Sequence, residues 1–381
     1  MHTLGQKIKN YALDLGYARA GIAAIPDFSE YLEQIRLRGD VYRGLSMGKP
    51  GFAEQLDIRS RAPEAKAIVV LVWNYMQSGF PESLLGKIGR IYLGRCYNPP
   101  SHRINGARRE LMKQFIAGLG GRVLGNLFVP DRLSAAMAGV ADYGRNNFAY
   151  AGKLGSFICI TSLVVDLELE CDTPTLSCKC PPDCRRCIEA CPSRALYEPF
   201  RLNAGKCLAF NAFFTNSERG DGLSDDIPPE IRPYMGQQVH GCDLCQEACP
   251  RNQAVLKAAG APDPFLESLA AGFSLSNLLH MREGFYDEYV EPVMYNYVKE
   301  PRFFQRNAAV ALGNTGDEAF VPDLEAEMDH PARVVRTHVA WALGRIGGQR
   351  ALFALENRLP LEPDAATAAE IRSAITAIRS A

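Results

Sequence analysis

Long apolar runs, an excess of one charge and the glycine signatures of nucleotide binding are all missing from this chain. No stretch reaches the roughly 18 apolar residues that a membrane span needs. The longest, Ala67–Trp73, has the length of a buried strand. Met1–Lys7 has neither the charged nor the apolar region of a signal peptide, so a cytoplasmic protein with no membrane partner is expected. Lys plus Arg number 42 and Asp plus Glu 43, a net charge of −1. That balance supplies no global field for nucleic acid or an anionic membrane, and leaves open only a local basic face. No G-x-G-x-x-G follows an apolar strand and no Walker A sequence occurs, which argues against flavin or nicotinamide on a standard Rossmann fingerprint.

Cysteine is abundant and clustered. Of 12 cysteines in 381 residues, ten fall between Cys171 and Cys249. In a reducing compartment, such clustering reads as metal binding before disulfides. The first group is Cys180-x3-Cys184-x2-Cys187-x3-Cys191-Pro192. The second is Cys207, then Cys242-x2-Cys245-x3-Cys249-Pro250. The repeated C-x2-C-x3-C-P is the spacing of two-cluster ferredoxins, in which the Cys before Pro ligates the other cluster. Crossing over assigns Cys180, Cys184, Cys187 and Cys249 to one 4Fe–4S centre and Cys191, Cys207, Cys242 and Cys245 to the other. Structural zinc is the competing reading, since paired C-x2-C also builds four-thiolate zinc sites. Eight thiolates ending twice in Cys-Pro favour the clusters. The opening C-x3-C departs from the usual C-x2-C, and Cys178 competes with Cys180 as ligand. Cys96, Cys159 and Cys171 read as small buried apolar residues.

The rest of the chain divides around this region. Leu4, Ile8, Tyr11, Ala12 and Leu15 share a helical face. Ala67–Trp73 has the continuous apolar pattern of a strand covered on both faces. Gly106–Leu119 reads as a helix stopped at Gly120-Gly121, and Arg122–Val129 and Phe157–Leu169 as further strands. Residues 1–170 are therefore expected to form an α/β or α+β cofactor domain. Residues 171–260 hold too little apolar material for a core of their own, so metal is expected to organise them. Residues 261–381 read as helical. There Arg306–Gly313 recurs as Arg336–Gly344, with Ala-Leu-Gly triplets 31 residues apart and a weaker copy at Ile371–Ile378. These are HEAT-like repeats, too few to stand alone. Arg306, Arg336, Arg345 and Arg350 could line a phosphate-binding face, with solvated helix charges as the default.

The same order of parts, with three sequence segments, resembles the epoxyqueuosine reductase family, cobalamin-dependent iron–sulfur reductases related to the reductive dehalogenases. Arg90-Ile-Tyr-Leu-Gly-Arg95-Cys96-Tyr97 is similar to the family's R-Y-x-x-G-R-D-Y, with His102 following. Ala138-Gly139-Val-Ala-Asp142-Tyr143-Gly144-Arg145-Asn146 is similar to A-G-L-G-W-I-G-K-N, and His240-Gly-Cys-Asp-Leu-Cys245 to Y-G-C-D-D-C. The resemblance implies electrons passing through two 4Fe–4S clusters to base-off cobalamin, no D-x-H-x-x-G being present to supply a lower ligand. It further implies reduction of epoxyqueuosine to queuosine in tRNA, and a low-potential donor such as flavodoxin or ferredoxin; a monomer is expected. Arg95, Tyr97, His102, Gly139, Gly144, Arg145 and Asn146 become the candidate corrinoid residues. The family's catalytic Asp lies in a D-S-A-P stretch; here Asp131 is the nearest match, with Asp142 and Tyr143 as further proton-donor candidates. Asp142-Tyr143 replaces the family's Trp-Ile, which leaves two alternatives: a paralogous corrinoid reductase acting on a small molecule, or a ferredoxin-like carrier without corrinoid.

Overall fold

The computed structural model describes residues 2–39, 52–97, 104–125, 127–213, 225–294 and 300–380. Strand β1 (Arg19–Ala24), β2 (Ala67–Asn74), the short hairpin β3 (Asp142–Tyr143) and β4 (Ala149–Tyr150), and β5 (Ile158–Val165) organise the N-terminal part. The main sheet has the order β1-β2-β5 and both pairings are antiparallel, so the architecture there is α+β. Central β2 explains its unbroken apolar sequence by facing two cores at once. Ile68, Val70 and Val72 enter one, with Phe52, Leu56 and Ala135. Ala67, Val69 and Leu71 enter the other, with Ile8, Ala12, Met112 and Ile116. The latter come from the helices Leu4–Asp14 and Ile104–Gly118. Thr3 caps the first by accepting the Gln6 amide at 3.2 Å, and the left-handed Gly120 (φ +86°) follows the second.

Two expectations change. Arg122–Val129 is not a strand: among its described residues there is one isolated bridge, Val123 to Val165. β5 already occupies the edge of β2, and Arg122 instead bonds Asp166 through both amide and guanidinium. The helical stretch from Asp263 breaks into Pro264–Gly272, Leu275–His280, a π-turn at Tyr286–Val290 and Glu291–Met294.

The C-terminal helices Pro301–Gly313, Arg333–Ile346 and Ala365–Ser380 pack in series. The repeated glycine has a packing reason. A Cβ on Gly313 would lie 2.7 Å from the Ala342 Cα, and one on Gly344 2.8 Å from the Ala374 Cα. Each glycine lets the next helix approach its backbone closely. This helical core does not close on itself: Leu84, Ile88, Leu93 and Val239 belong to it, alongside Phe304, Leu312 and Leu343. The repeat arginines are largely spent internally. Arg306 is fully buried and donates to the carbonyls of Asn211 (3.0 Å), Ala212 (3.3 Å) and Asp225. Arg336 holds Glu362 with two bonds and Arg350 pairs with Glu325. Arg345 stands exposed.

Candidate metal centres and the cleft beside them

The two cysteine motifs fold alike. Each C-x2-C-x3-C winds through one short helix, Arg186–Glu189 and Leu244–Glu247, and the two helices pack together. Cys187, Ile188 and Leu196, with Cys191, Leu202 and Cys245 against them, make the region's small core. The electrostatics sort the thiols into two sets. Burial, and after it the neighbouring Cys249, Cys180 and Cys184, together push Cys187 up to about 11. Burial pushes Cys242 up to about 12 against the Leu244 amide, which stabilises its thiolate, and Cys207 and Cys191 add to the rise. Cys245 is held well above the usual thiol range by burial, then by Cys242, Cys207, Asp243 and Cys191. Thiols that oppose each other's ionisation this way sit close together, and a shared cation relieves the repulsion. Sulfur-facing amides complete the donor chemistry: those of Phe210 and Ala209 favour the Cys207 thiolate. The donor set thus fits thiolate-bound clusters. Among the described residues, no three His, Cys, Asp or Glu side chains close on a single ion.

The hairpin β3–β4 is bolted to both thiol sets. Arg145 Nη1 donates to the Cys184 carbonyl at 3.0 Å. Buried Asn146 donates through Nδ2 to the Tyr150 hydroxyl (2.9 Å) and the Cys245 carbonyl (3.3 Å), while its Oδ1 accepts the Phe148 amide. Gly144 is required because a Cβ there would run into the Tyr150 ring, and Gly139 (φ +67°) because a Cβ would meet the Thr173 carbonyl. Both Asp142 oxygens accept from Arg251 at 2.8 Å, and Arg251 stacks 4.1 Å over Tyr150. Burial works against the Arg251 charge, but Asp142, and after it Cys180, hold it protonated. Sequence reading missed Arg251 and Asn252. Asn252 accepts the Ser156 amide and donates to the Ser156 hydroxyl and Gln246 carbonyl, each at 2.8 Å. Their signal was position, directly after the second Cys-Pro.

Part of β5 opens toward solvent. In otherwise buried β5, Cys159, Ile160, Thr161 and Ser162 are half-buried. Tyr97 exposes 45% of its surface, yet desolvation drives its hydroxyl far above the ordinary range, with Cys159 and Cys96 adding to the rise, Arg132 opposing it and Asp131 adding more. Accessible to solvent but hemmed in by protein, it stands in a cleft wall. Asp131, at the start of the helix Asp131–Met137, is likewise exposed, and its carboxyl is raised by desolvation against the pull of Ser162 and Arg132. Burial pushes Tyr143 up to about 12, with Arg132 opposing. Arg132 itself donates to the Asn147 carbonyl at 3.1 Å. The structure therefore brings Tyr97, Asp131 and Tyr143 to one cleft, with Cys96 and Cys159. It places Asp142, Arg145 and Asn146 behind it, against the thiols. Arg95 (φ +53°) pairs with Asp263 at 2.8 Å and stacks over Phe265. His102 lies outside the described residues. The half-buried residues of β5, with the Tyr97 and Tyr143 phenols and the Asp131 carboxyl, are the side chains that would face a bound macrocycle.

Comparison with known proteins bears on these features. A family model for the 4Fe–4S double cluster binding domain matches residues 179–252, and one for HEAT repeats matches residues 299–376. The epoxyqueuosine reductase of Bacillus subtilis is 25% identical over 393 residues, spanning 100% of this chain and 97% of its own. That of Leadbetterella byssophila is 30% identical over 264 residues, 66% of this chain and 81% of its own. Among solved structures, epoxyqueuosine reductase with an epoxyqueuosine-modified tRNA-Tyr stem loop superposes with a TM-score of 0.82 at 24% identity, covering 99% of each chain. No helix among the described residues is long and apolar enough to cross a membrane.

Proposed function

The chain belongs to the epoxyqueuosine reductase family, whose members are oxidoreductases, and from that premise we propose that its cleft removes the epoxide oxygen of epoxyqueuosine in tRNA to give queuosine. The family's double-cluster domain is present. In this reading cobalamin, base-off, occupies the cleft of residues 1–170, the crossed-over thiol sets of residues 171–260 hold the two 4Fe–4S clusters, and residues 261–381 buttress both. The protein works as a cytoplasmic monomer, fed by a low-potential donor such as flavodoxin or ferredoxin. When bound, the corrinoid supplies reducing cobalt chemistry and the clusters supply electrons singly.

The observation that carries the reading is Asp131: a solvent-reachable carboxyl on the cleft rim whose pKa is raised by desolvation. Reductive removal of an epoxide oxygen takes two electrons and two protons and releases water. A carboxyl that keeps its proton to higher pH suits delivery of a proton to the departing oxygen. Tyr97 and Tyr143 line the substrate's approach, and Arg132 supplies positive charge near the oxygen. Asp142, with both oxygens taken by Arg251, positions the hairpin instead of moving protons.

The test is anaerobic: reconstitute the full chain with iron, sulfide and cobalamin, reduce it chemically, and add an anticodon stem-loop carrying epoxyqueuosine. Nucleoside mass spectrometry should show the loss of one oxygen. Intact clusters and retained cobalt without conversion of the RNA would refute the substrate. A companion measurement concerns Arg251. Replacing it with methionine removes a positive charge that acts on Cys180, so the potential of the cluster on that set should fall by about 60 mV, tenfold in a one-electron equilibrium. Redox titration reads it, and Arg251→Lys should restore part of the shift.

A further inference from the structure

Arg95 borders the cleft but spends its side chain outside it. Its backbone is left-handed (φ +53°), a conformation strained for a long side chain and kept only where the surroundings hold it. Its Nη2 donates to Asp263 Oδ2 at 2.8 Å, and the guanidinium carbon lies 5.0 Å from the centre of the Phe265 ring. Both partners of the ion pair are mostly buried, so the guanidinium is fixed in place.

The segment that carries Phe265 is fixed as well. The Gly79 amide donates to the Ala261 carbonyl at 2.9 Å, and a Cβ on Gly79 would lie 2.1 Å from the Gly260 carbonyl oxygen. Asp263 then caps the helix Pro264–Gly272 by accepting the Phe265 amide at 2.9 Å. Leu266 and Leu269 of that helix enter the helical core. Phe265 does not, and 39% of its surface is exposed. An apolar ring is therefore held at the surface, between rigid supports and beside a cation.

Its distance from the cleft is bounded by the chain. Tyr97, exposed on the cleft wall, is two residues from Arg95, at most about 7 Å of backbone. The Arg95 side chain spans the remaining gap to the ring. Aromatic rings and guanidinium planes are the surfaces on which unpaired bases of single-stranded RNA stack, largely whatever the base. A nucleoside that enters the cleft as part of an RNA loop brings its neighbours to this rim.

We propose that Phe265, steadied by Arg95 and Asp263, is a stacking platform for an unpaired base adjoining the modified nucleoside. The enzyme then grips the loop by a neighbouring base as well as by the nucleoside it reduces. Phe265 binds and orients the RNA and takes no part in proton or electron transfer. The inference rests on the reading that this cleft acts on epoxyqueuosine in tRNA.

The experiment is a double-mutant cycle between protein and RNA. Fluorescence anisotropy follows binding of labelled epoxyqueuosine stem-loops to the reconstituted full-length protein, without reductant so that nothing turns over. Three RNAs are compared: one intact, and two with an abasic site on either side of the modified nucleoside. Phe265→Leu keeps an apolar side chain and removes the aromatic face. It should weaken binding of the intact RNA by about tenfold, with iron content at the wild-type level. One abasic RNA should bind the wild type about tenfold more weakly and lose nothing further with the variant. Phe265→Trp should bind the intact RNA at least as tightly as the wild type. Unchanged affinity in Phe265→Leu, or the same loss with all three RNAs, overturns the platform and leaves the substrate reading standing. A wild-type protein that binds none of the RNAs overturns both.

Discussion

Asp131→Asn should lower single-turnover conversion of an epoxyqueuosine stem-loop by about 10²- to 10⁴-fold, the range of a lost general acid. Iron and cobalt content should stay at wild-type levels, because Asp131 faces the cleft and none of the cluster thiols. The amide keeps the size of the side chain and removes the proton. The pH dependence has a definite sign. Desolvation raises the folded carboxyl's pKa, so its proton is present at low pH and is lost as pH rises through that raised value. Wild-type turnover should therefore decline on the alkaline side, and the variant's residual rate should lack that limb. A variant that keeps its rate while losing the limb would move the proton donor to Tyr143, whose hydroxyl at about 12 holds its proton throughout the working range.

Arg306→Ala should be the most damaging substitution in the helical tail. The guanidinium is fully buried and satisfies the Asn211, Ala212 and Asp225 carbonyls. Removing it takes a donor from the Asn211 and Asp225 carbonyls, at about 1–3 kcal/mol each before relaxation, while the Ala212 carbonyl keeps the Asn307 side-chain amide at 2.9 Å. The damage should reach the metal. Asn211 Nδ2 donates to the carbonyls of Gly205 (2.9 Å) and Cys207 (3.0 Å), so the segment clasped by Arg306 is the one presenting Cys207. The expected result is a Tm several degrees lower for the holoprotein, with faster iron loss from the second thiol set under a chelator. Unchanged iron retention would show that Cys207 is held by its own turn alone.

How much of this was legible follows from where each signal lies. β2 could be read because both its faces are buried, so its sequence is apolar throughout. The repeat could be read because Gly313 and Gly344 meet equivalent neighbours one unit on. The thiol sets could be read because cysteine spacing within a turn is local. Long-range pairings could not. Arg306 has the sequence context of a helix-surface cation, and what buries it lies about 90 residues upstream. Asp142 looked like a free acid until Arg251, 109 residues away, took both its oxygens. Arg122–Val129 has strand composition but touches the outer edge of β5 through one isolated bridge, Val123 to Val165.

The apolar wall formed by Leu84, Ile88 and Leu93 has a consequence in time. Its partners include Phe304, Leu312 and Leu343, which the ribosome makes more than two hundred residues later. At about 5–20 residues per second, roughly 10–40 s separate the wall from the helices that cover it. During synthesis the front half can pair its strands but must leave this surface wet. That interval is when the nascent chain is most exposed to self-association, and low temperature, which slows translation, lengthens it.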